Sequence, residues 1–476
     1  MTDPESLLSG LDSAQAAVAT AFGGPLAVVA GAGSGKTRAI THRIAYGVAS
    51  GEFRAGEVLA VTFTTKAAAE LRARLVYLGV PAVAARTFHS AALRQARFFW
   101  PQVFRSELPP VASDRLGLVA EAMARLRIPN EGQAASELLT EVSWAKVSNV
   151  LPQDYPELAS AAHREVPGLD AELAGKVLQR YEQVKNARGV IDFDDILLCA
   201  CALLAENPQV ADEVRSTYQH LVVDEYQDVN PLERTLLGLW LGSDPQLCAV
   251  GDPLQTIHSF AGASSSYLSG FTAEFPGAEV LRLATDYRSS PQIAEFANRV
   301  AQQAGISSGM LLRSQAPPGP EPEVAGAVDE AAEAGIVAEW LREQHRELPW
   351  SALAVLFRTR AQADALALAL EAAGVPFNVA AAPGPVAEPS AGPEDAVTLA
   401  TLHSAKGLEW GGVAIAGVQE GTLPHPAAVT EAQLAEEARL FYVGVTRAKS
   451  RLLVTWSARR GPGSARRQPS RLLPIP

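Results

Sequence analysis

The sequence predicts an α/β protein with two parallel sheets and a helical insertion in its first α/β region. Short apolar runs rich in Val, Ile and Leu precede helical patterns at residues 26–30, 58–63, 220–223, 246–250, 353–357, 413–416 and 452–455. Runs of this kind, without polar alternation, are typical of parallel strands buried on both faces. Between residues 87 and 196 they nearly disappear, and amphipathic stretches such as 115–126 and 171–186 replace them. These stretches predict the helical insertion.

Length and composition predict several domains outside the membrane. A chain of 476 residues is longer than one ordinary domain, so about two to four modules are expected. No apolar run is long enough to cross a bilayer. Asp3 and Glu5 stand where a signal peptide would carry positive charge. We therefore expect a cytoplasmic protein with no membrane partner.

Charge and cysteine content argue against two further classes. The formal net charge of −12 is wrong for a protein that coats nucleic acid through bulk charge, although a groove needs only local basic residues. Cys199, Cys201 and Cys248 are not accompanied by a His/Cys cluster. They are expected to be reduced core thiols and not ligands of a metal site.

Three segments have the composition of linkers or tails. Residues 314–323 and 380–395 are rich in Pro, Gly, Ala and Glu, which predicts mobile or extended chain. From Ala458 to residue 476, five arginines stand among Gly, Pro and Ser. This segment is expected to be a flexible basic tail, either solvated or in auxiliary contact with phosphates.

A glycine-rich loop after the first apolar run predicts phosphate binding. The run 26–37 reads LAVVAGAGSGKT, and its loop consists of Ala30, Gly31, Ala32, Gly33, Ser34, Gly35, Lys36 and Thr37. Glycines let backbone N–H groups approach phosphates at a helix N-terminus. Lys36 is expected to reach the β- and γ-phosphates, and Thr37 to hold Mg²⁺. The sequence therefore predicts an ATP site.

A second apolar run delivers two adjacent carboxylates. The segment 221–228 reads LVVDEYQD. Asp224 is suited to bind Mg²⁺ through water, and Glu225 to orient or deprotonate the attacking water. Together with the glycine-rich loop, these acids predict hydrolysis of ATP and not binding alone.

Further motifs resemble those of UvrD/Rep/PcrA-like superfamily 1A DNA helicases. The segment 11–18 resembles the Q motif of this family, 61–71 its motif Ia and 85–90 its motif Ib. Residues 250–263 are similar to motif III, 283–298 to motif IV, 401–410 to motif V and 436–449 to motif VI. The matches occur in family order and extend from Leu11 to about Trp456.

The resemblance implies roles for residues around the nucleotide. Gln15 would face the adenine, and Tyr287 would stack on it opposite Arg38. Gln255 would sense the γ-phosphate and Arg288 would contact it. Arg447 would be an arginine finger, which stabilises transition-state charge when the domains close on ATP. Motif V would add Glu409 to the nucleotide-binding set.

The resemblance also implies the domain organisation. Two RecA-like P-loop NTPase domains are expected. Domain 1A would comprise residues 1–88 and 197–281, and a helical subdomain 1B would comprise residues 89–196. Domain 2A would comprise residues 282–379 and 396–457. Relatives carry a helical subdomain 2B between the last two parts, whereas this chain has only the linker 380–395 and the tail 458–476 after domain 2A.

Aromatic and polar residues in these motifs are expected to contact single-stranded DNA, because aromatic rings stack on any base. The expected contacts are Phe63, Thr64, Phe88, His89, His258, Phe260, Thr401 and His403. Motif III differs from the commoner family wording, which has Tyr, Trp and Arg where this chain has His258, Phe260 and Ala261. A smaller stacking platform predicts a weaker grip on bases.

The expected function is that of an ATP-dependent 3′–5′ DNA helicase or single-stranded DNA translocase. The polarity rests on resemblance alone. We expect a monomer acting on single-stranded DNA and 3′-tailed duplex in repair, recombination or replication, with a repair or replication protein as a possible partner. Because subdomain 2B is missing, the alternative is a non-processive DNA-dependent ATPase or an accessory ATP switch that needs a partner to unwind duplex. A P-loop kinase or transporter ATPase would leave Arg288, Arg447 and the motif at 401–407 unexplained.

Overall fold

Two six-stranded sheets organise the part of the chain that this computed structural model describes, namely residues 3–130, 132–243, 245–259, 262–263, 266–306, 309–380, 393–461 and 463–474. The chain divides into two compact units. The first comprises residues 1–29, 37–251 and 258–281, and the second comprises residues 30–36, 252–257 and 282–476. The predicted α/β class with parallel sheets is confirmed.

The strands are mostly short and apolar. Their bounds are β1 (Leu26–Ala30), β2 (Val58–Thr62), β3 (Ala84–Thr87), β4 (His220–Val223), β5 (Leu247–Gly251), β6 (Glu279–Leu283), β7 (Thr285–Asp286), β8 (Arg313–Ser314), β9 (Glu323–Ala327), β10 (Leu353–Phe357), β11 (Phe377–Val379), β12 (Val397–Thr401), β13 (Trp410–Ala416) and β14 (Ala448–Ser457). Every residue of β2, β5 and β10 is buried, which explains their unbroken apolar sequences.

Helices separate many of these strands, and seven helices of the described chain, α5 to α11, follow one another between β3 and β4. Their bounds are α1 (Pro4–Leu8), α2 (Ser13–Thr20), α3 (Lys36–Ser50), α4 (Thr65–Tyr77), α5 (Phe88–Phe104), α6 (Arg115–Arg125), α7 (Ala134–Val147), α8 (Tyr155–Ala161), α9 (Ala171–Ala187), α10 (Asp195–Glu206), α11 (Pro208–Thr217), α12 (Pro231–Leu241), α13 (Ser266–Ser269), α14 (Phe271–Glu274), α15 (Pro291–Gln303), α16 (Glu330–Gln344), α17 (Ala363–Ala372) and α18 (Glu431–Val445).

The first sheet has the order β3-β2-β4-β5-β1-β6. Strands β4 and β5 are parallel neighbours, and β5 is parallel to β1 with Val29 opposite Gly251. Parallel neighbours end at the same edge of a sheet, and ligands bind there in open α/β sheets. The glycine-rich loop after β1 and the acids after β4 therefore emerge at one edge, with β5 between them.

The second sheet has the order β11-β12-β10-β13-β14-β9. All of its neighbouring pairs are parallel. Strand β14 is ten residues long and pairs with β13 on one side and with β9 on the other. Arg447 directly precedes β14, and its carbonyl accepts a hydrogen bond from the N–H of Trp410 at the start of β13, so the sheet fixes the backbone of that arginine.

Helices α6 to α9 form a helical region with its own core. The core includes Leu118, Leu138, Tyr155, Val177 and Tyr181. Because these side chains lie on facing helices and are almost fully buried, the amphipathic pattern of the sequence is explained by this packing. The predicted helices 115–126 and 171–186 match α6 and α9 within one residue.

The C-terminal segment corrects one prediction. Residues from 458 onward were expected to be a flexible basic tail, but the described part of this segment is packed. Leu472 and Leu473 are buried in the core of the second unit, and Arg471 pairs with Glu420 at 2.7 Å. Arg467 pairs with Glu330 at 2.9 Å. The Gly, Pro, Ser and Arg content of this segment suggested flexibility. Composition alone does not show that Leu472 and Leu473 pack into a core formed by residues far away in the sequence.

The first predicted linker is described in full, whereas the second is described only at its ends. Residues 314–323 are extended between β8 and β9, and the Gly319 N–H donates to Gln292 Oε1 at 3.0 Å. Most of 380–395 lies outside the described residues. Asn378, just before this segment, donates from its Nδ2 to the carbonyl of Pro393 near the segment's end at 3.1 Å.

Membrane-spanning helices and cysteine pairing were two further subjects of prediction. In the part of the chain that is described, no helix combines the length and apolar character that crossing a bilayer requires. The three cysteines are free thiols, and Cys201 and Cys248 are buried.

Candidate functional site

The glycine-rich loop is held in shape by contacts within the second unit. The Gly31 N–H donates to the Leu283 carbonyl and the Tyr287 N–H donates to the Gly33 carbonyl, both at 3.0 Å. Gly33 has a φ of 70°, and a Cβ at this position would lie 1.9 Å from Asp286 Oδ1. Only glycine fits here. The loop is therefore preformed against the segment that carries Tyr287.

Asp286 positions Arg288. Its Oδ1 accepts the N–H groups of Arg288 and Ser289 at 2.7 and 3.2 Å, and burial raises the pKa of the carboxyl. The Arg288 guanidinium pairs with Glu409 at 2.5 Å, and Glu409 also pairs with Lys449 at 2.7 Å. Although burial opposes it, these cations lower the pKa of Glu409. The arginine expected at the γ-phosphate is thus held by the glutamate expected at the nucleotide.

Arg447 is buried and fully engaged. It is 2% exposed, and its guanidinium donates to the carbonyls of Val443 and Leu408 at 3.0 and 3.2 Å. Its Nη2 lies 3.4 Å from Gln255 Oε1. Gln255 in turn donates to Asp252 Oδ2 at 2.7 Å. The structure therefore joins the expected arginine finger and the expected γ-phosphate sensor directly.

The two acids after β4 have different environments. Asp224 is 7% exposed, and its Oδ1 accepts the Glu225 N–H at 2.9 Å. Glu225 has φ 55° and ψ 41°, a left-handed conformation that is uncommon for a residue with a side chain. Strain of this kind is frequent at active sites. Gln227 Nε2 donates to Glu225 Oε2 at 2.6 Å and fixes its orientation.

The first unit supplies residues that suit Mg²⁺. Thr37 lies in the first turn of α3, and Asp224 follows β4. A hydroxyl and a carboxylate are hard oxygen ligands of the kind this ion prefers. The residues present therefore fit the metal that the glycine-rich loop implies.

The residues expected around adenine are distributed over both units. Gln15 is 3% exposed and forms a capping box with Asp12 at the start of α2. Arg38 Nη2 donates to the Gly10 carbonyl at 2.7 Å. In the second unit, Tyr287 is 41% exposed, so its ring is accessible for stacking.

Phe88 is misassigned by the sequence. It is 1% exposed in the core of the first unit, its ring stacks with Trp240 at 5.9 Å, and Phe63 packs against it. A ring without accessible faces cannot stack on a base, so the predicted DNA contact is wrong. Phe63 is only partly buried and Thr64 is exposed, so these two remain candidates.

Phe193, which stacks on His89, is an exposed aromatic residue that the sequence motifs did not indicate. The two ring centroids lie 4.0 Å apart, and Phe193 is 39% exposed. Burial lowers the pKa of His89 to about 4, so the imidazole is neutral at pH 7. An exposed ring supported from behind by a second ring is a suitable stacking platform. Phe193 carried no local signal, since it stands alone among acidic residues in IDFDD.

A buried charge network fixes the loop that carries Phe193. Lys146 on α7 pairs with Asp192 and Asp195 at 2.5 and 2.8 Å, and Lys185 on α9 pairs with Asp195 at 2.5 Å. Arg115 pairs with Asp194 at 2.6 Å. Although burial alone would lower it, Asp192 raises the pKa of Lys146. The helical region therefore holds both neighbours of Phe193 through ion pairs.

We expect Lys146→Met to destabilise the first unit by about 3–5 kcal/mol, because removing the cation that Asp192 and Asp195 share leaves these carboxylates buried with less charge compensation. Asp192 is fully buried. Urea unfolding followed by tryptophan fluorescence measures the change. Arg74→Met, which removes an exposed pair with Glu70, should change stability by less than about 1 kcal/mol. Equal effects of the two substitutions would contradict the network's role.

The remaining DNA candidates lie in motifs III and V. His258 is partly buried, whereas Phe260 and Ala261 lie outside the described residues. Thr401 Oγ1 lies 2.8 Å from Ser404 Oγ. Burial lowers the pKa of His403 to about 4, and Arg358 contributes in the same direction. The imidazole rings of His258 and His403 are both partly buried, and both residues remain candidates for contacting DNA.

Comparison with known proteins decides the family. The profile of the UvrD/REP helicase N-terminal domain matches residues 11–276, and that of the UvrD-like helicase C-terminal domain matches 281–382 and 387–459. The ATP-dependent DNA helicase UvrD2 of Mycobacterium tuberculosis is 38% identical, over 99% of this chain and 82% of the relative. The chain belongs to the UvrD/REP helicase family.

Other members of the UvrD/REP family are more distant. The ATP-dependent DNA helicase UvrD1 of Mycobacterium tuberculosis is 30% identical, over 79% of this chain and 50% of the relative. The ATP-dependent DNA helicase PcrA of Leuconostoc citreum is 29% identical, with the same 79% and 50% coverage. The family assignment makes ATP the nucleotide and DNA the polymer to consider at the sites described above.

One comparison bears on the chain's length. The alignment with UvrD2 has 577 positions whereas this chain has 476 residues, so at least 101 positions are gaps in this chain. The C-terminal profile is also interrupted between residues 382 and 387. This interruption falls within the predicted linker 380–395.

Proposed function

We propose that this chain is an ATP-driven motor that moves 3′ to 5′ along single-stranded DNA. The observation that carries the proposal is the arrangement of the second unit. It contains the glycine-rich loop up to Lys36 together with Arg288, Gln255 and Arg447. Each of these last three side chains is held by contacts with other side chains. Two preorganised arginines and a positioned amide suit phosphoryl transfer, in which positioning and charge stabilisation supply most of the catalysis.

The proposed reaction is hydrolysis of the γ-phosphate. Glu225 orients a water molecule and accepts its proton as the water oxygen attacks the γ-phosphorus. The bond from phosphorus to the β–γ bridging oxygen breaks, giving ADP and phosphate. Arg288 and Arg447 stabilise the charge that develops on the transferring group. Thr37 and Asp224 would hold Mg²⁺, which neutralises phosphate charge when bound.

The proposed DNA surface lies on both units. Phe63, Thr64, His89 and His258 belong to the first, and Thr401 and His403 to the second. Phe193 joins this set because it is exposed and supported by His89. Aromatic stacking tolerates any base, so the motor is proposed to read no sequence.

The proposed domain organisation follows the family. Residues 1–88 and 197–281 would form domain 1A, 89–196 subdomain 1B, and 282–379 with 396–457 domain 2A. The gaps in the UvrD2 alignment and the interrupted profile support a short linker in place of subdomain 2B. We therefore propose that duplex unwinding by this chain alone is weak.

The test is ATP hydrolysis with and without oligothymidylate, followed by unwinding of duplexes with a 3′ or a 5′ tail. We expect strong stimulation by single-stranded DNA and movement from the 3′ tail only. ATP hydrolysis that is indifferent to DNA would favour the accessory switch instead. Activity from the 5′ tail would overturn the polarity.

Phe193→Ala should weaken binding of oligothymidylate about 10-fold, because stacking on one aromatic ring contributes roughly 1–3 kcal/mol per base. Fluorescence anisotropy of a labelled oligonucleotide measures it. Tyr77→Ala, which removes an exposed ring at the end of α4, is the matched control and should bind normally. Equal binding by the two variants would remove Phe193 from the proposed surface.

Replacing residues 381–392 with a Gly/Ser segment of equal length should leave DNA-stimulated ATP hydrolysis and translocation within about twofold of the parent chain, because a Gly/Ser chain of this length spans short distances. Ala380 and Asp395 are retained, since Ala380 donates to the Leu399 carbonyl and Asp395 accepts the Ser351 N–H. Stopped-flow translocation and tailed-duplex assays measure both variants. Loss of ATP hydrolysis would mean that the segment folds and acts, and strong unwinding by the parent chain would contradict the proposed consequence of lacking subdomain 2B.

A further inference from the structure

A groove on the first unit is lined by none of the residues assigned to ATP or DNA, although Arg86 and Ser90 at one end of it are close in sequence to His89. It has a volume of about 750 Å³ and is lined by α5, by Arg86 of β3 and by the end of α11. This volume suits a ligand of the size of a short peptide. Its walls combine cationic, apolar and buried polar side chains.

Two buried N–H donors in the groove wall need an acceptor. Trp240 Nε1 donates to Gln95 Oε1 at 2.8 Å, and because an indole only donates, the other amide atom of Gln95 must be the nitrogen. Gln95 is 7% exposed. Among the described residues, none accepts a hydrogen bond from its Nε2 or from Arg86 Nε, although both atoms are buried. Buried donors are nearly always paired in stable structures, which points to a ligand oxygen.

Three guanidinium groups line the same groove. Arg94 and Arg97 are exposed one turn apart on α5 and add to Arg86, whereas Glu213 supplies a single carboxylate. This concentration of positive charge contrasts with a chain of net charge −12. Guanidinium groups bind carboxylates with two parallel hydrogen bonds. The groove is therefore complementary to an acidic ligand.

Aromatic rings form the apolar part. Phe98 is 60% exposed, and its ring meets that of the buried Phe99 edge-on at 4.8 Å. Tyr218 lines the groove beside Val214. An exposed ring inside a concave surface offers a packing site for an aromatic side chain of a partner.

The position of the groove favours a protein over the DNA strand. Helix α5 begins at the carboxyl end of β3 and runs back along the sheet, and Tyr218 lies two residues before the amino end of β4. The groove thus extends toward the edge opposite the one where the phosphate loop and the acids emerge.

We propose that this groove binds a short peptide segment of a partner protein that carries two or more carboxylates next to aromatic side chains. The carboxylates pair with Arg86, Arg94 and Arg97 and accept from the Gln95 amide. The aromatic side chains pack on Phe98 and Tyr218. The site would attach the motor to a partner without occupying the DNA-binding face.

The probe is a fluorescein-labelled peptide with two aspartates followed by two phenylalanines, titrated by anisotropy against the full chain. Control peptides carry lysines in place of the aspartates or alanines in place of the phenylalanines. The test variant is Arg94→Glu with Arg97→Glu. Its matched control is Arg342→Glu with Arg346→Glu, which alters two exposed arginines of the second unit and changes the net charge by the same amount.

We expect saturable binding of the acidic aromatic peptide, at least 10-fold weaker binding of either control peptide, and at least 10-fold weaker binding by the groove variant than by its control. ATP hydrolysis without DNA should stay within about twofold in both variants, which separates this proposal from the proposed motor function. Gln95→Leu, which keeps the shape but removes the donors, should weaken the peptide several-fold. Absence of peptide binding, equal binding by the two double variants, or displacement of the peptide by oligothymidylate in proportion to DNA binding would overturn the proposal.

Discussion

Glu225→Gln is expected to reduce DNA-stimulated ATP turnover by about 10³-fold or more while ATP still binds. The amide keeps the size of the side chain but cannot accept the proton of the attacking water. Because this role belongs to the chemical step, the loss should appear in kcat and not in nucleotide affinity. Steady-state phosphate release and titration with a fluorescent ATP analogue measure the two quantities.

Two controls make this result interpretable. Lys36→Ala should abolish turnover and also weaken ATP binding, since the ammonium group supplies phosphate affinity. Glu70→Gln changes an exposed glutamate on α4 and should hydrolyse ATP normally. Near-normal turnover by Glu225→Gln would remove it as the base, and loss of ATP binding would assign it to ground-state contacts.

Arg447→Ala is expected to reduce ATP turnover by about 10³-fold, because an arginine finger acts on transition-state charge. Burial adds a second effect. The guanidinium satisfies the carbonyls of Val443 and Leu408, so truncation should also lower the unfolding temperature. Phosphate release and thermal unfolding should therefore be measured on the same preparation.

Arg447→Lys separates the two effects. Lysine keeps the charge but not the planar fork that reaches Gln255 and the carbonyls, so turnover should stay at least 10-fold below the parent chain. Arg342→Ala, an exposed arginine on α16, should leave both measurements unchanged. A variant at Arg447 that lost ATP affinity but turned over normally at saturation would place this arginine in substrate binding.

Most central strands were predictable and the edge strands were not, whereas β12, an interior strand of the second sheet, was missed. Strands β2, β5 and β10 are buried on both faces, and continuous apolar sequence is the direct result. Strand β6 exposes Glu279 and Val280, and β9 exposes Glu323 and Val324. Edge strands pair on one side only, so their sequences tolerate charge and give little periodic signal.

The candidate site shows the same division. Lys36, Asp224 and Glu225 follow from short patterns, because a loop, a strand and its end lie close together in sequence. The pair of Arg288 with Glu409 joins two distant segments, which local periodicity does not encode. Phe88 stands where the motif predicts a DNA contact, but its ring is covered by Trp240, which is far away in the sequence. Phe193 is recognisable only from its exposure and its contact with His89.

The pairing of β9 with β14 has a consequence for how the chain is made. Strand β9 is the first of the second sheet in the sequence, yet its neighbour is β14, and Glu323 lies opposite Leu453. During synthesis the edge of β9 must wait while more than a hundred residues leave the ribosome. Contacts of such long range form slowly, and exposed strand edges meanwhile favour misassembly. Strand β1 of the first sheet must wait even longer for its neighbour β5. We therefore expect both units to depend on chaperones, and slow codons before residue 448 to lower the yield of folded second unit.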